Sequence, residues 1–443
     1  MAETDTSLEQ SGGEEELLRG QDGDPGISLP RRRTHNSVLT KRLDSAWTAD
    51  LCLQLIHKAM ERRQWSRAAT LFSSFVQNLD NRSNKKYIKA AEAIWRLGSE
   101  ILLNHPGGTS DEIHLFHETM KNIGVKNYLQ IILEQVYFLL CNGRTDEAYR
   151  ILSAAESWRF GRLSISQDKL LKLIQAYRAV LDHRAWQKKI SAVTQDAMDY
   201  ASQSSHTQDA CSSFRQASST FREITQFPGV WDPFILCYVD LLETSGDLQE
   251  AETVLMNYAY NSKNPANPNA HVYLYEFLQR TKASDDKVIK VLKILQLMVP
   301  SHKHMLKFSK LLVNSGVEEH HHLALQVLLE LLDYPVWKED VKAWRYLAKQ
   351  LKRCLCRERK AWVSELWESR SSWWPLYHFT KLQANKDYWK CPELAVRKAA
   401  AAGMLQGPGS RYFSRVCRLG TEEQKATLSL LKTLLKQHNC GNQ

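Results

Sequence analysis

Cys354 and Cys356 stand one residue apart, and Glu318-Glu319-His320-His321-His322 sets five candidate metal ligands in a row. A tetrahedral zinc site draws on four such donors, commonly as two close pairs. No second cysteine pair accompanies the first, so Cys354 and Cys356 read as two thiols beside a basic helix. Adjacent histidines on a helix point about 100° apart, whereas chelating pairs use the i, i+4 spacing that stacks two side chains on one face. The acid-and-histidine run reads instead as a helix start, with Glu318 and Glu319 at the positive end of its dipole. His302 and His304 make no better pair. The chain has no glycine-rich phosphate loop, no dinucleotide fingerprint, no His-Glu-x-x-His and no Gly-x-Ser-x-Gly elbow. Carboxylates are plentiful, but nothing singles out an acid–base couple. The expectation is a non-enzyme without metal or cofactor.

Recognition by charge is the chemistry that remains. Residues 1–30 hold eight acids and one arginine, so with +10 overall a net +17 falls on residues 31–443. A basic body behind an acidic tail suits a polyanionic or acidic partner. Two basic clusters stand out. Arg31, Arg32, Arg33, Lys41 and Arg42 lie in a tail where a nuclear import receptor could read them, or where they are simply solvated charge. Residues 341–360 hold eight basic side chains and one acid. There Val341, Trp344, Ala348, Leu351 and Leu355 form an apolar stripe, and Lys342, Arg345, Lys349, Lys352 and Arg353 a basic one about 100° round the helix. The basic stripe could touch phosphate or an acidic protein surface; the alternative is a solvated face beside a Trp-rich core.

The elements that would position these groups are all helical. Leu51, Leu55, Ile56, Ala59 and Met60 share one helix face; Trp65, Ala68, Ala69, Phe72 and Val76 repeat it after a short polar join, which predicts an antiparallel hairpin. Similar segments follow at about 87–104, 110–122, 126–142 and 145–158, and no strand pattern occurs. "LLCNGRTDEAYRIL" and "LLETSGDLQEAETVL" share a plan of helix end, glycine, polar turn, Glu-Ala and new apolar face. Gly143 and Gly246 should close the first helix in the left-handed conformation. Asp247 should cap the second, with Glu250 completing a capping box. Ala148 and Ala251 suit a close helix crossing, and Leu248, Ala251, Leu255 and Tyr258 predict a buried stripe. Asn267 and Pro268 mark another helix start, and Pro300 should stop the helix bearing Val288, Val291, Leu292, Leu295 and Val299. The Glu-Ala pairs lie 103 residues apart, near three tetratricopeptide units of about 34 residues, although the units between are irregular. The reading is an all-α, irregular tetratricopeptide-like helical-hairpin array, an α-solenoid, with a Trp-rich helical C-terminal region.

The expected organisation is a disordered acidic and basic tail over 1–46, helical repeats over 47–335 with a polar loop-like insert at about 195–213, and a Trp-rich basic region over 336–443. Seven of the 13 tryptophans fall between Trp337 and Trp389. "WWPLYHF" and "GPGSRYF" read as loops with aromatic anchors; Trp373, Trp374 and Tyr377 are candidates for a partner interface, or close the core of the last helices. Nine scattered cysteines, an acidic start without a signal-peptide core and no apolar run of membrane-spanning length suggest a soluble intracellular protein.

The blocks "IWRLGSEIL" (94–102), "MKNIGVKNYL" (120–129), "PGVWDPF" (228–234), "NPNAHVYLYEFL" (267–278), "VLKILQLMVPSHKHMLKF" (291–308) and "WWPLYHF" (373–379) resemble the A subunit of the TATA-box-binding-protein-associated factors of RNA polymerase I, over roughly residues 47–415. The resemblance implies a component of the promoter selectivity factor for ribosomal RNA genes. Its partners would be the TATA-box-binding protein, other RNA polymerase I associated factors and an upstream HMG-box activator, in the nucleus and nucleolus. Promoter DNA would be met indirectly or non-specifically, and no membrane. The alternative is a helical-repeat RNA-binding or ribosome-biogenesis scaffold. A one-base-per-repeat code needs a regular register that this chain lacks.

Overall fold

Four reversals of the chain close with the same pair of backbone hydrogen bonds. At the end of helix α1 (Val38–Glu61), Gln64 N–H donates to Ala59 O at 2.9 Å and Arg63 N–H to Met60 O at 2.9 Å. The same five-back and three-back pair recurs at Arg144 and Gly143, at Asp247 and Gly246, and at Ala283 and Lys282. This is the Schellman closure, which requires a left-handed residue. Arg63, Gly143, Gly246 and Lys282 take φ of 56°, 75°, 84° and 53°. Gly316, at 73°, stands at a fifth reversal. Each such residue ends one helix and releases the chain to run back along it.

The computed structural model describes residues 38–80, 84–122, 127–157, 164–195, 200–356 and 359–439, and among them every regular element is helical. It divides into two compact units, Met1–Gly124 and Val125–Gln443. In the first, α1 pairs with α2 (Trp65–Asp80), which packs on α3 (Asn84–Asn104) and then α4 (Ser110–Lys121). Thr109 caps α4 in a complete capping box with Glu112. The core gathers Ile56, Ala59, Ala68, Phe75, Ile94, Trp95, Ile113 and Met120. Gly98 lets α4 approach α3 closely, because a Cβ there would lie 2.3 Å from Phe116 Cζ. Helix α1 begins at Val38, inside the stretch 1–46 expected as a tail, and residues 1–37 lie outside the described residues. Lys41 and Arg42 fall within this helix, while Arg31, Arg32 and Arg33 lie outside the described residues.

The second unit continues as α5 (Tyr128–Cys141), α6 (Thr145–Ser157), α7 (Ile165–Gln195), α8 (Tyr200–Thr225), α9 (Asp232–Ser245), α10 (Leu248–Tyr260), α11 (Pro268–Arg280), α12 (Asp285–Met298), α13 (Met305–Asn314) and α14 (Glu318–Leu332). Each helix packs on the next, and α5 on α7, α7 on α9 and α9 on α11 as well. That pattern is a stacked array of hairpins. Ala148 and Ala251 are fully buried, as a close crossing requires.

Three local expectations are corrected. The polar stretch over 195–213 does not form a loop throughout: from Tyr200 it belongs to α8, whose Ala217, Phe221 and Ile224 repeat at helical spacing and are buried beside α7. Leu248 is 47% exposed; it sits in the first turn of α10, beside the reversal, and the buried stripe begins at Ala251 and includes Val254. The capping box at Asp247 is half-formed. The Asp247 side chain accepts from Glu250 N–H at 3.0 Å, but its own N–H is already given to Leu242 O at 2.9 Å. The Glu250 carboxylate turns to Arg222 instead.

Beyond α14 the sequential pattern breaks. A 3-10 turn at Pro335–Trp337 leads into α15 (Val341–Cys356), α16 (Lys360–Glu368), α17 (Trp374–His378), α18 (Lys381–Lys390), α19 (Pro392–Gln406), α20 (Arg411–Leu419) and α21 (Glu422–Asn439). Here α15 packs on α19, α18 on α20 and α19 on α21. "WWPLYHF" enters the short α17 and "GPGSRYF" the start of α20, so both are partly helical rather than loops throughout.

Candidate functional site

The distinctive sequence blocks meet at acids that gather several donors each, Asp232 and Asp333 partly buried and Asp387 almost fully. Asp232, first residue of α9, accepts from Tyr258 Oη at 2.7 Å, from Asn267 Nδ2 at 2.6 Å and from Asn269 Nδ2 at 2.8 Å. Tyr258 Oη in turn accepts from Trp231 N–H at 2.8 Å. One carboxylate therefore ties "PGVWDPF" to the Asn-Pro-Asn start of α11 and fixes the spacing of successive hairpins. Burial, then the Asp232 hydrogen bond, pushes the Tyr258 phenol well above its ordinary value, so it stays a donor. Asp232 was missed by sequence reasoning, and its partners 26 to 37 residues away explain why.

Two more acids organise the C-terminal helices. Asp333 receives Arg370 in a two-pronged pair, Nε at 3.0 Å and Nη2 at 2.7 Å, and the Trp374 indole N–H at 2.7 Å. Asp387 receives Lys398 Nζ and Tyr412 Oη, each at 2.8 Å, and Gln383 Nε2 at 2.6 Å. Lys398 and Tyr412 are fully buried, and Asp387 is nearly so. Burial is the main cause that lowers the Lys398 ammonium and raises the Tyr412 phenol. Between these centres Trp344 and Trp374 meet edge to face at 6.0 Å, and His378 lies 5.0 Å from the first and 4.8 Å from the second. Trp344 donates to Lys338 O at 2.9 Å and Trp337 to Ser301 O at 2.8 Å, so these indoles are packed and polar-satisfied.

This core positions the basic face of α15. Ala343, Trp344, Leu347, Ala348, Leu351 and Cys354 point inward, which leaves Lys342, Arg345, Lys349, Lys352 and Arg353 all exposed on the other side. Arg345 reaches Glu393 at 2.5 Å, and its hydrogen bond holds the Glu393 carboxyl below the usual range. Arg353 Nη1 donates to Gln350 at 3.3 Å. The structure thus gathers all five sequence-selected cations on one solvent-facing stripe. A stripe of this kind can attract an anion or stand as a solvated face, and Arg345 is already paired with Glu393.

The aromatic candidates separate. Trp374 is fully buried and bonded to Asp333, in the position of the alternative reading, in which it closes the core of the last helices. Its i+4 neighbour His378 and the flanking Trp367 ring enclose it. Trp373 is 36% exposed, packed against Tyr377 at 5.6 Å. Tyr377 is half-buried with Lys338 Nζ 4.1 Å over its ring. Trp389, not singled out from the sequence, is far more open at 78%. A tryptophan at the end of a helix gives no local sign of what covers it.

Among the described residues no group of three or more His, Cys, Asp or Glu could hold a metal ion. His320 bonds Ser315 at 2.7 Å while His322 faces Glu365 at 3.8 Å, so neighbouring histidines do point apart. Cys354 is buried and Cys356 exposed. No helix among the described residues is long and apolar enough to cross a membrane.

Known proteins are similar to this chain over most of its length. A family model for the A subunit of the TAF RNA Polymerase I factors matches residues 58–418. In Mus musculus, the A subunit of the TATA box-binding protein-associated factor RNA polymerase I set is 43% identical over 422 residues, covering 94% of this chain and 93% of the relative. Its Homo sapiens counterpart is 42% identical, covering 94% of each. Among solved structures, the P58(IPK) TPR domain aligns over 88% of this chain and 99% of that chain at 13% identity, with a TM-score of 0.22. The hairpin architecture rests on the chain's own helices and turns.

Proposed function

We infer function from one premise: the chain belongs to the family of A subunits of the TAF RNA Polymerase I factors. A role in RNA polymerase I transcription, and hence in the nucleus, follows from that membership. The finer reading is a non-catalytic scaffold within the promoter selectivity factor for ribosomal RNA genes. It assembles with the TATA-box-binding protein and further associated factors, meets an upstream HMG-box activator, and acts in the nucleolus. Similarity over 94% of the chain is the observation that carries it.

Physical support comes from the stacked hairpins. An array of this kind offers several faces for partners, and each bound partner raises the effective concentration of the next. The α15 stripe supplies sequence-independent attraction to phosphate, so DNA contact is indirect or non-specific. Among the exposed and half-buried aromatic groups, Trp373, Tyr377 and Trp389 are our candidates for an interface. Tagged chain purified from nuclei should bring down the TATA-box-binding protein and RNA polymerase I factors; a preparation carrying RNA-processing proteins without them would refute this reading.

A further inference from the structure

One groove has no part in that function. It lies between α11, α12 and α13 and has a volume of about 570 Å³. Leu278, Val288, Leu292 and Leu311 give it an apolar floor. Lys282 stands on one side; Lys307 and Lys310, three residues apart on α13 and so on one face, stand on another. All three lysines are exposed, and none meets an acid within 4.0 Å among the described residues. Tyr275, 1% exposed, also lines the groove, and its hydroxyl is within reach of Gln279, another lining residue. Lys282 also sits at a left-handed position, φ 53°, as Arg63 does at 56° at the end of α1.

We propose that this groove docks an acidic peptide segment of a partner protein. Glutamate or aspartate carboxylates would pair with Lys282, Lys307 and Lys310, and an aliphatic side chain would fill the floor. Charge complementarity selects the acid. The floor selects a peptide over a nucleic acid. It is aliphatic, whereas single strands need exposed rings for stacking, and the ring of Tyr275 is buried. This inference does not depend on the family reading, and its test needs no transcription factor.

The test is fluorescence anisotropy with the full chain and a labelled synthetic peptide that alternates glutamate pairs with leucine. The glutamate peptide should bind at least tenfold more tightly than its glutamine version, roughly the effect of two charged contacts. Lys307→Gln with Lys310→Gln should weaken it by about tenfold, and Lys282→Gly by about three- to fivefold. The glycine variant should also keep or raise the melting temperature, because it relieves the left-handed lysine. Absence of binding, equal binding of the glutamine peptide, unchanged affinity in both lysine variants with an intact helical spectrum, or equal displacement by a single-stranded oligonucleotide would each overturn the proposal.

Discussion

Lowering the pH from about 7.5 to about 5 should destabilise the fold by about 2 kcal/mol through one residue, His378. Its imidazole is fully buried between Trp344, Trp374 and Tyr377. Nε2 donates to Leu332 O at 3.0 Å, and Nδ1 has no partner. A second proton would add a charge with no acceptor, in an apolar site that also lies near the Lys398 ammonium. Burial first, and Lys398 second, therefore hold its pKa down to about 2 against the ordinary 6.5. The unfolded chain binds that proton near pH 6.5, while the native state refuses it until near pH 2. The contribution is complete above pH 6.5 and is lost on acidification, at about 1.4 kcal/mol per pH unit. At pH 5, about 1.5 units below the unfolded value, the loss is about 2 kcal/mol. The assay is urea unfolding of the wild type and His378→Gln at both pH values, since glutamine retains a donor for Leu332. The variant should show a pH effect about 2 kcal/mol smaller. His304, whose pKa burial lowers to about 4, titrates in both proteins and cancels. An identical pH dependence in the two would refute the reasoning.

Two further outcomes follow from the same geometry. Lys398→Met leaves the Asp387 carboxylate buried without its cation and should cost about 3–5 kcal/mol; Lys398→Met with Asp387→Leu should recover part of that loss, and a double-mutant cycle by chemical denaturation reads the coupling. Reversing Lys349, Lys352 and Arg353 to Glu should leave the circular dichroism spectrum unchanged, because all three face solvent, while binding to duplex DNA or an acidic partner weakens; unchanged binding in a titration at two salt concentrations removes that role from α15.

Local signals were legible where local chemistry decides the outcome. Gly143 and Gly246 closed their helices because a left-handed residue must stand there, and Asn267-Pro268 started α11 because a cap and a missing N–H suit a first turn. The basic stripe was legible because helical periodicity alone separates Lys342 and Lys349 from Trp344 and Leu351. Burial at element ends was not. Leu248 and Trp374 look alike as apolar residues in a first turn; one is exposed and the other buried because of neighbours distant in sequence. The Ser-rich start of α8 reads as loop by propensity, but the chain gains a helix there by laying Phe221 and Ile224 beside α7. Asp232, Asp333 and Asp387 were invisible for the same reason. An acid becomes a hub only when donors converge on it, and at Asp333 they arrive from 37 and 41 residues away.

Simultaneous occupancy of this array by more than one partner is the claim on which the functional account depends. Sequential purification from nuclei tests it most directly, first through a tag on this chain and then with antibody to the TATA-box-binding protein. The account predicts that other RNA polymerase I associated factors persist in the doubly selected fraction at amounts comparable to the chain itself. Their loss at the second step, with each partner recovered only in separate single-partner complexes, would contradict it.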